Sequence, residues 1–202
     1  MEPNIDKLKK SIESRGWSFK RFASGAEAAD YLASELAGSS VGIGGCTTAD
    51  SIGLYEKLTP VCPEVVWHWK ADDDASARRG ASVTEAYICG ANAISETGEV
   101  VNIDSVGNRT ASTLYGHKRL YIIAGKNKVC PDLESAIHRA RNVAGPLRAR
   151  SMGVKTPCVR GELKCWDCRS PERICRGMSI LMIKMTGMEK SELILIDEEL
   201  GM

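Results

Sequence analysis

No stretch of this 202-residue sequence approaches the ~20 consecutive apolar residues that a membrane-spanning helix requires. The opening MEPNIDKLKK has no apolar signal core, so the expected location is cytoplasmic. Charge of one sign is also not in excess. Lys and Arg total 27 against 26 Asp and Glu, and a formal net charge of +1 gives no sign of a nucleic-acid or other polyanionic partner. There are no internal repeats and no low-complexity linkers, so residues 1–202 are read as one domain. What is present, 43% hydrophobic and 26% charged residues, is the composition of a soluble globular chain with a sizeable core.

Ile5, Leu8 and Ile12 fall at helical spacing before Gly16, and Trp17 to Ala23 alternates as a strand. Ser24 and Glu27 form a capping box for a helix carrying Ala28, Leu32 and Leu36. In Val41 to Leu58 (VGIGGCTTADSIGLYEKL) a short strand feeds Gly44-Gly45, and a helix is predicted from Thr47 through Leu58. Strand, glycines and helix start present backbone N–H groups to an anion, and the Thr47 and Thr48 hydroxyls can add to them. The spacing is neither a Walker loop nor a dinucleotide fingerprint, and a plain capped helix is the competing reading. Cys46 stands where a nucleophile could, although small buried cysteines are common.

Val65 to Lys70 (VVWHWK) reads as a strand, with His68 as an ordinary packed histidine. ADDDASARRGASVTEA follows as a solvated helix. Ile88 to Arg109 (ICGANAISETGEVVNIDSVGNR) is the most concentrated functional segment. It reads as short strands joined by tight turns, with Thr97-Gly98 as a hairpin tip. Asn92, Glu96, Asn102, Asp104, Gly107, Asn108 and Arg109 exceed what turns need and point to a ligand site. Thr110 to Tyr115 reads as a helix and Arg119 to Gly125 as a buried strand. Lys126 and Lys128 follow it at the edge where open α/β sheets bind ligands. A helix from Pro131-Asp132 has acids first and His138, Arg139 and Arg141 last, matching its dipole. Ser179 to Met185 and Glu192 to Glu198 read as a closing hairpin or edge pair.

Eight cysteines are many for a cytosolic chain, where structural disulfides are rare. Cys158, Cys165, Cys168 and Cys175 follow the pattern C-x6-C-x2-C-x6-C within an aperiodic insertion, residues 156–177. One C-x2-C pair can grip an ion and the outer thiolates can complete a four-sulfur site. Lys164, Arg169, Arg173 and Arg176 nearby favour thiolate over thiol. A 4Fe–4S cluster is slightly favoured over zinc, with a disulfide pair or redox thiols as the remaining alternatives.

GIGGCTTADSIGL, CGANAISETGEVVNIDSVGNR and AGKNKV resemble the LUD-domain family, known as lactate utilization protein C-like, over about residues 1–150 and the closing strands. The resemblance implies a part in L-lactate oxidation to pyruvate beside iron–sulfur subunits. It also implies the fold of the ribose-phosphate isomerase, glucosamine-phosphate deaminase and CoA-transferase group: a three-layer α/β sandwich with a mainly parallel central sheet. Strand–helix alternation alone supports only α/β. GANAISETGEVVNIDSVGNR is similar to the GAD…NG…NK.GT run of methylthioribose-phosphate isomerases, where the aspartate is catalytic. Here Asn92 stands in its place, a departure from aldose–ketose isomerase chemistry. Glu96 precedes Thr97-Gly98 much as the catalytic glutamate of CoA transferases precedes its glycine. Both are carried forward as catalytic candidates. Gly44, Gly45, Thr47, Thr48, Asn102, Asp104, Gly107, Asn108, Arg109 and Lys126 are the candidates for binding substrate. The expected ligand is a small anionic metabolite: a hydroxy acid, or a phosphorylated or CoA-linked acid. The alternative function is an iron–sulfur electron-transfer or accessory subunit, or a structural zinc protein, without catalysis of its own. The fold group also suggests a homodimer.

Overall fold

The computed structural model describes residues 2–202. Asn4 caps α1 (Ile5–Ser14) by accepting from the Lys7 N–H, and Leu8 and Ile12 are its buried face. β1 (Ser18–Phe22) follows. Ser24 caps α2 (Gly25–Glu35), whose Glu27 reaches back to the Ala23 N–H at 3.1 Å. β2 (Ser40–Ile43) then enters the glycine loop.

The helix predicted over Thr47–Leu58 is two short ones, α3 (Thr47–Ser51) and α4 (Leu54–Leu58). Gly53, left-handed at φ 62°, breaks them apart and lets α4 turn Leu54 and Leu58 into the core. β3 (Glu64–Trp67) is shorter than expected, because His68–Lys70 curl into a 3₁₀ turn at the sheet edge. Next come α5 (Asp74–Ala81), β4 (Ala86–Gly90), β5 (Ala93–Ser95) and β6 (Val100–Asp104). β5 and β6 pair antiparallel across the predicted tip, where Gly98 takes φ 98°. α6 (Asn108–Leu114) and β7 (Arg119–Gly125) match expectation closely. β8 (Val129–Cys130) precedes α7 (Leu133–Arg139), capped by Asp132. A π-helical stretch at Ala140–Ala144 joins α7 to α8 (Gly145–Ser151). The chain ends with β9 (Gly177–Leu181) and β10 (Lys190–Ile196).

The last two strands are not a hairpin. β10 lies inside a six-stranded sheet of order β1-β10-β7-β4-β2-β3, parallel to both neighbours. β9 pairs antiparallel with β6 in a second sheet, β8-β5-β6-β9. Leu193 to Ile196 are each 0% exposed, the two-sided burial of an interior parallel strand.

All pairings in the larger sheet are parallel. Alternation along β4, β7 and β10 sends Ile88, Tyr121, Ile123 and Ile194 to one face and Tyr87, Cys89, Ile122 and Leu193 to the other. The first face is covered by α2, α3 and α4 through Leu32, Leu36, Leu54 and Leu58. The second meets α1, α5 and the inner face of the small sheet, including Ile94, Val100 and Leu181. Ala136 and Ala140 close the outer face of that sheet against Ala93, Val101 and Cys130. Layers of helix, parallel sheet and a mixed layer thus give the α/β architecture expected. No helix among the described residues is long and apolar enough to cross a membrane.

Candidate functional site

The carboxyl ends of β2, β3, β4 and β7 open into one cavity of about 330 Å³. Parallel strands end there together, so their connecting loops converge where backbone groups are free of the ladder. The β2 loop brings Gly45, Cys46 and Thr47, and the 3₁₀ turn after β3 brings His68 and Trp69. β4 contributes Gly90 and leads to Asn92; β6 leads through Asp104 to Asn108 and Arg109. Lys128 enters from the turn after β7, and Arg148 of α8 closes one side.

Asn92 organises this wall. Its Oδ1 accepts from the Ile103 N–H at 2.7 Å and from Arg109 Nη2 at 3.0 Å. Its own N–H donates to Asn102 Oδ1 at 3.1 Å. Arg109 Nη2 also donates to the Ile103 carbonyl at 2.6 Å, so the guanidinium is held by a side chain and a strand end together. Asn102 is 0% exposed and braces Asn92 from behind the cavity. Asp104 accepts from the N–H groups of Ser105 at 2.7 Å and Thr110 at 3.0 Å. Burial alone would raise its carboxyl pKa, but the Thr110 N–H, the Arg109 charge and the Ser105 N–H hold it below the ordinary value. Asp104 is therefore an ionised cap for α6, and Gly107 (φ 92°) supplies the turn before it.

Lys128 is 3% exposed and donates to Thr48 Oγ1 at 3.1 Å. Burial first, with Arg139 and Arg109 adding to it, lowers its pKa to about 8. Arg148 lies over Trp69, its Cζ 5.0 Å from the ring centroid. His68 has its pKa lowered by burial and then by the Arg78 charge, and its Nδ1 has no hydrogen-bond partner among the described residues. It is a neutral wall residue. Cys46 caps α3, its Sγ accepting from the Ala49 N–H at 3.3 Å.

The glycines are here for space. A Cβ on Gly44 would stand 2.7 Å from Tyr87 Oη and 3.2 Å from Arg109 Cγ; one on Gly90 would stand 2.9 Å from Cys46 Sγ. Either would push the loop or the wall aside.

Gly45, Thr47, Asn92, Asp104, Asn108 and Arg109 are thus placed around one cavity, with Gly44, Thr48, Asn102 and Gly107 close behind its wall. Two candidates are not brought to the cavity. Glu96 accepts from the Asn4 N–H at 2.8 Å and pairs with Lys7 Nζ at 3.3 Å, anchoring α1 to the hairpin tip. It lies on β5's turn, whereas the cavity opens at the other end of that strand. Lys126 lines a separate groove with Asn4, Asp6, Arg21 and Asp197. Its neighbour two positions on, Lys128, takes the inward place because the 3₁₀ turn rotates successive side chains by about a third of a turn. Lys128, noted at the sheet edge, and His68, read as packing, carry sequence signals that local pattern could not orient. Arg148 carried none beyond a basic helix end.

The four-cysteine segment connects α8 to β9 and passes beside the cavity, where Ile174 and Cys175 form part of the wall. It is irregular apart from a 3₁₀ turn at Pro157–Val159. Asp167, left-handed at φ 45°, donates its N–H to Cys165 Sγ at 3.4 Å, and Arg141 Nη2 lies 3.7 Å from the same sulfur. Arg173 staples the segment by donating to the Cys168 carbonyl at 2.6 Å and the Cys175 carbonyl at 2.8 Å. All eight cysteines are free thiols, and among the described residues no group of three or more His, Cys, Asp or Glu is arranged around a metal position. The donor chemistry suits a thiophilic metal; the thiols are not drawn together as a ligand set.

These features define a class: an α/β protein with a cavity at the carboxyl edge of a parallel sheet, lined by Lys128, Arg78, Arg109 and Arg148. The family model of the LUD domain matches residues 5–196, and the chain belongs to that family. A DUF162 family protein from Deinococcus radiodurans has a similar fold, with a TM-score of 0.56, 11% identity and 95% of each chain covered. That likeness shows the fold alone. No curated protein matches the chain.

Proposed function

We propose that this LUD domain protein binds a small anionic metabolite, a hydroxy acid or a short phosphorylated acid, in the cavity at the sheet edge, with a part in L-lactate oxidation to pyruvate in the cytoplasm. The observation that carries this reading is the charge of the wall. Lys128, Arg78, Arg109 and Arg148 line it against Asp74 and Asp104. Asp74 is paired with Arg78 at 2.7 Å and Asp104 is committed to capping α6. Arg109 feels the charge of Asp104, whereas Lys128 is bonded to a neutral hydroxyl and Arg148 rests on an indole, so an anion entering the cavity meets cations that Asp74 and Asp104 do not fully balance. About 330 Å³ lies at the small end of ligand sites, enough for a short acid. A CoA-linked acid could place only its acyl end inside.

Thermal unfolding with L-lactate, pyruvate, ribose 5-phosphate and acetyl-CoA tests the reading. A ligand at a hundredfold excess over its Kd adds about 2.7 kcal/mol to stability. The expected result is a raised melting temperature with a short acid, lost in Arg109→Gln. Equal melting temperatures with every compound would falsify a preformed anion cavity.

A second reading concerns the cysteines, and the N–H···S bond from Asp167 to Cys165 favours it. In a C-x2-C turn such a donor stabilises thiolate, the form that binds metal. Cys158, Cys165, Cys168 and Cys175 would hold a 4Fe–4S cluster or a zinc ion, the former supplying electron transfer to partner subunits. Iron, sulfide and zinc analysis with a visible spectrum on anaerobically purified protein tests this. Protein without either metal, before and after reconstitution, would remove it.

A further inference from the structure

Beyond β10 the chain runs back over the Lys128 end of the cavity. It first passes the end of β7, where the Glu198 carbonyl accepts from the Lys126 N–H at 3.2 Å. The Leu200 N–H then donates to Asn127 Oδ1 at 3.2 Å, and Arg139 Nη1 donates to the Met202 backbone oxygen at 3.4 Å. Met202 forms part of the cavity wall.

Two glycines make room for this path. A Cβ on Gly125 would stand 2.5 Å from both the Glu198 carbonyl oxygen and the Leu200 nitrogen, so a side chain there would lift the segment off. Gly201 is left-handed at φ 69°, and a Cβ on it would stand 2.8 Å from Lys128 Nζ and Thr48 Oγ1 and 3.0 Å from Thr47 Oγ1. Its bare backbone therefore lies against the amine and both threonine hydroxyls. Gly201 is exposed to solvent, whereas Lys128 beneath it is 3% exposed. One thickness of main chain separates the amine from water.

This cover is held lightly. Its three hydrogen bonds are longer than the usual ~2.9–3.0 Å, and Leu200 is only partly buried against the core. Segments with so few buried contacts open locally at a small fraction of the cost of unfolding the domain. The amine underneath donates to a neutral hydroxyl, which leaves its charge for an incoming anion.

We propose that residues 199–202 are a strap that closes the Lys128 end of the cavity, and that an anion reaches Lys128, Thr47 and Thr48 only when the strap swings out. The inference rests on the anion-cavity reading and adds a gate to that site. Strap and anion compete for the same face of the amine. A site that is closed part of the time binds with its affinity reduced to the open fraction, so loosening the strap tightens binding. With about nine-tenths of the molecules closed, full release lowers Kd about tenfold.

The test combines lysine labelling with anion binding on the full-length protein. Brief acetylation with an N-hydroxysuccinimide ester is followed by peptide mapping, with Lys10, exposed on α1, as internal reference. Binding of inorganic phosphate and of L-lactate is read by titration calorimetry on the same preparations. Gly201→Val puts a β-branched side chain at a left-handed position against the amine and should throw the strap off. Asn127→Ala removes the acceptor of the Leu200 N–H and should loosen the strap without altering Gly201. Both variants should keep the parent circular dichroism spectrum and label Lys128 several-fold faster relative to Lys10. At least one of the two anions should bind them more tightly, by up to about tenfold. Unchanged Lys128 labelling in both variants would overturn the strap and leave the anion cavity standing. Weaker anion binding in the loosened variants would overturn the gate and make these residues part of the binding surface. Faster labelling with neither anion bound by any form would remove the cavity reading and the gate together.

Discussion

Lys128 Nζ donates to Thr48 Oγ1 at 3.1 Å, tying the turn after β7 to the first turn of α3 across 80 positions of sequence. Around this bond the glycine loop, the basic turn and the Asn92 wall become one site.

The buried ammonium should be visible in stability against pH. Its pKa falls from 10.5 to about 8 on folding, burial being the largest cause. Between those values the unfolded chain binds more protons than the folded one, so stability rises with pH there, by up to about 3 kcal/mol. Below about pH 8 the cost of burying the charge is felt in full. Lys128→Met should stabilise the protein near neutral pH by about 1–3 kcal/mol, flatten that rise and abolish stabilisation by acids. Urea unfolding at neutral and alkaline pH measures the first two; a destabilised Met variant would contradict the assignment.

Asn92 should act through Arg109. Asn92→Ala removes the acceptor at 3.0 Å from Nη2 and at 2.7 Å from the Ile103 N–H. Acid binding is expected to weaken by about tenfold, the loss of one charge-assisted hydrogen bond. Asn92→Asp keeps an acceptor in place but gives Arg109 a carboxylate that repels the ligand, so it should weaken acid binding at least as much as Ala does. Titration calorimetry on both variants separates this positioning role from a chemical one.

Glu96 should prove structural. Replacing it with Ala removes the acceptor for Asn4 and the partner of Lys7, costing about 1–2 kcal/mol and loosening α1. Ligand affinity is expected to be unchanged. Faster amide exchange confined to residues 4–14 would fit; a lost ligand response at unchanged stability would return Glu96 to the site.

Gly90→Ala should fill the cavity with a single methyl group. Its Cβ would lie 2.9 Å from Cys46 Sγ, so the loop must shift at a cost of about 1–3 kcal/mol. The acid-induced rise in melting temperature is expected to disappear. A variant as stable and as responsive as the parent would show that the loop yields more easily than this packing suggests.

Local pattern was enough to determine most elements of this protein. Helical spacing in Ile5–Ile12, the cap at Ser24, the tip at Thr97-Gly98 and the apolar run of β7 each carry their structure within a few residues, because capping, turn geometry and alternation are short-range effects. The glycine loop and the Asn92–Arg109 run were read as a ligand site because their amides and glycines exceed what turns require, and both contribute to the wall of one cavity. Three things were decided only by the tertiary structure. Leu193 to Ile196 pair with strands far away in sequence, so their place inside the parallel sheet depends on partners that local alternation cannot name. Lys126 and Lys128 differ by two positions, yet one faces an outer groove and the other the cavity, because a 3₁₀ turn sets their directions and Thr48 accepts only one. Glu96, the most reactive-looking side chain of its segment, is taken up by the N-terminus of α1, a partner 92 positions away. A side chain's chemistry is written in the sequence, but its direction is set by whichever distant group satisfies it.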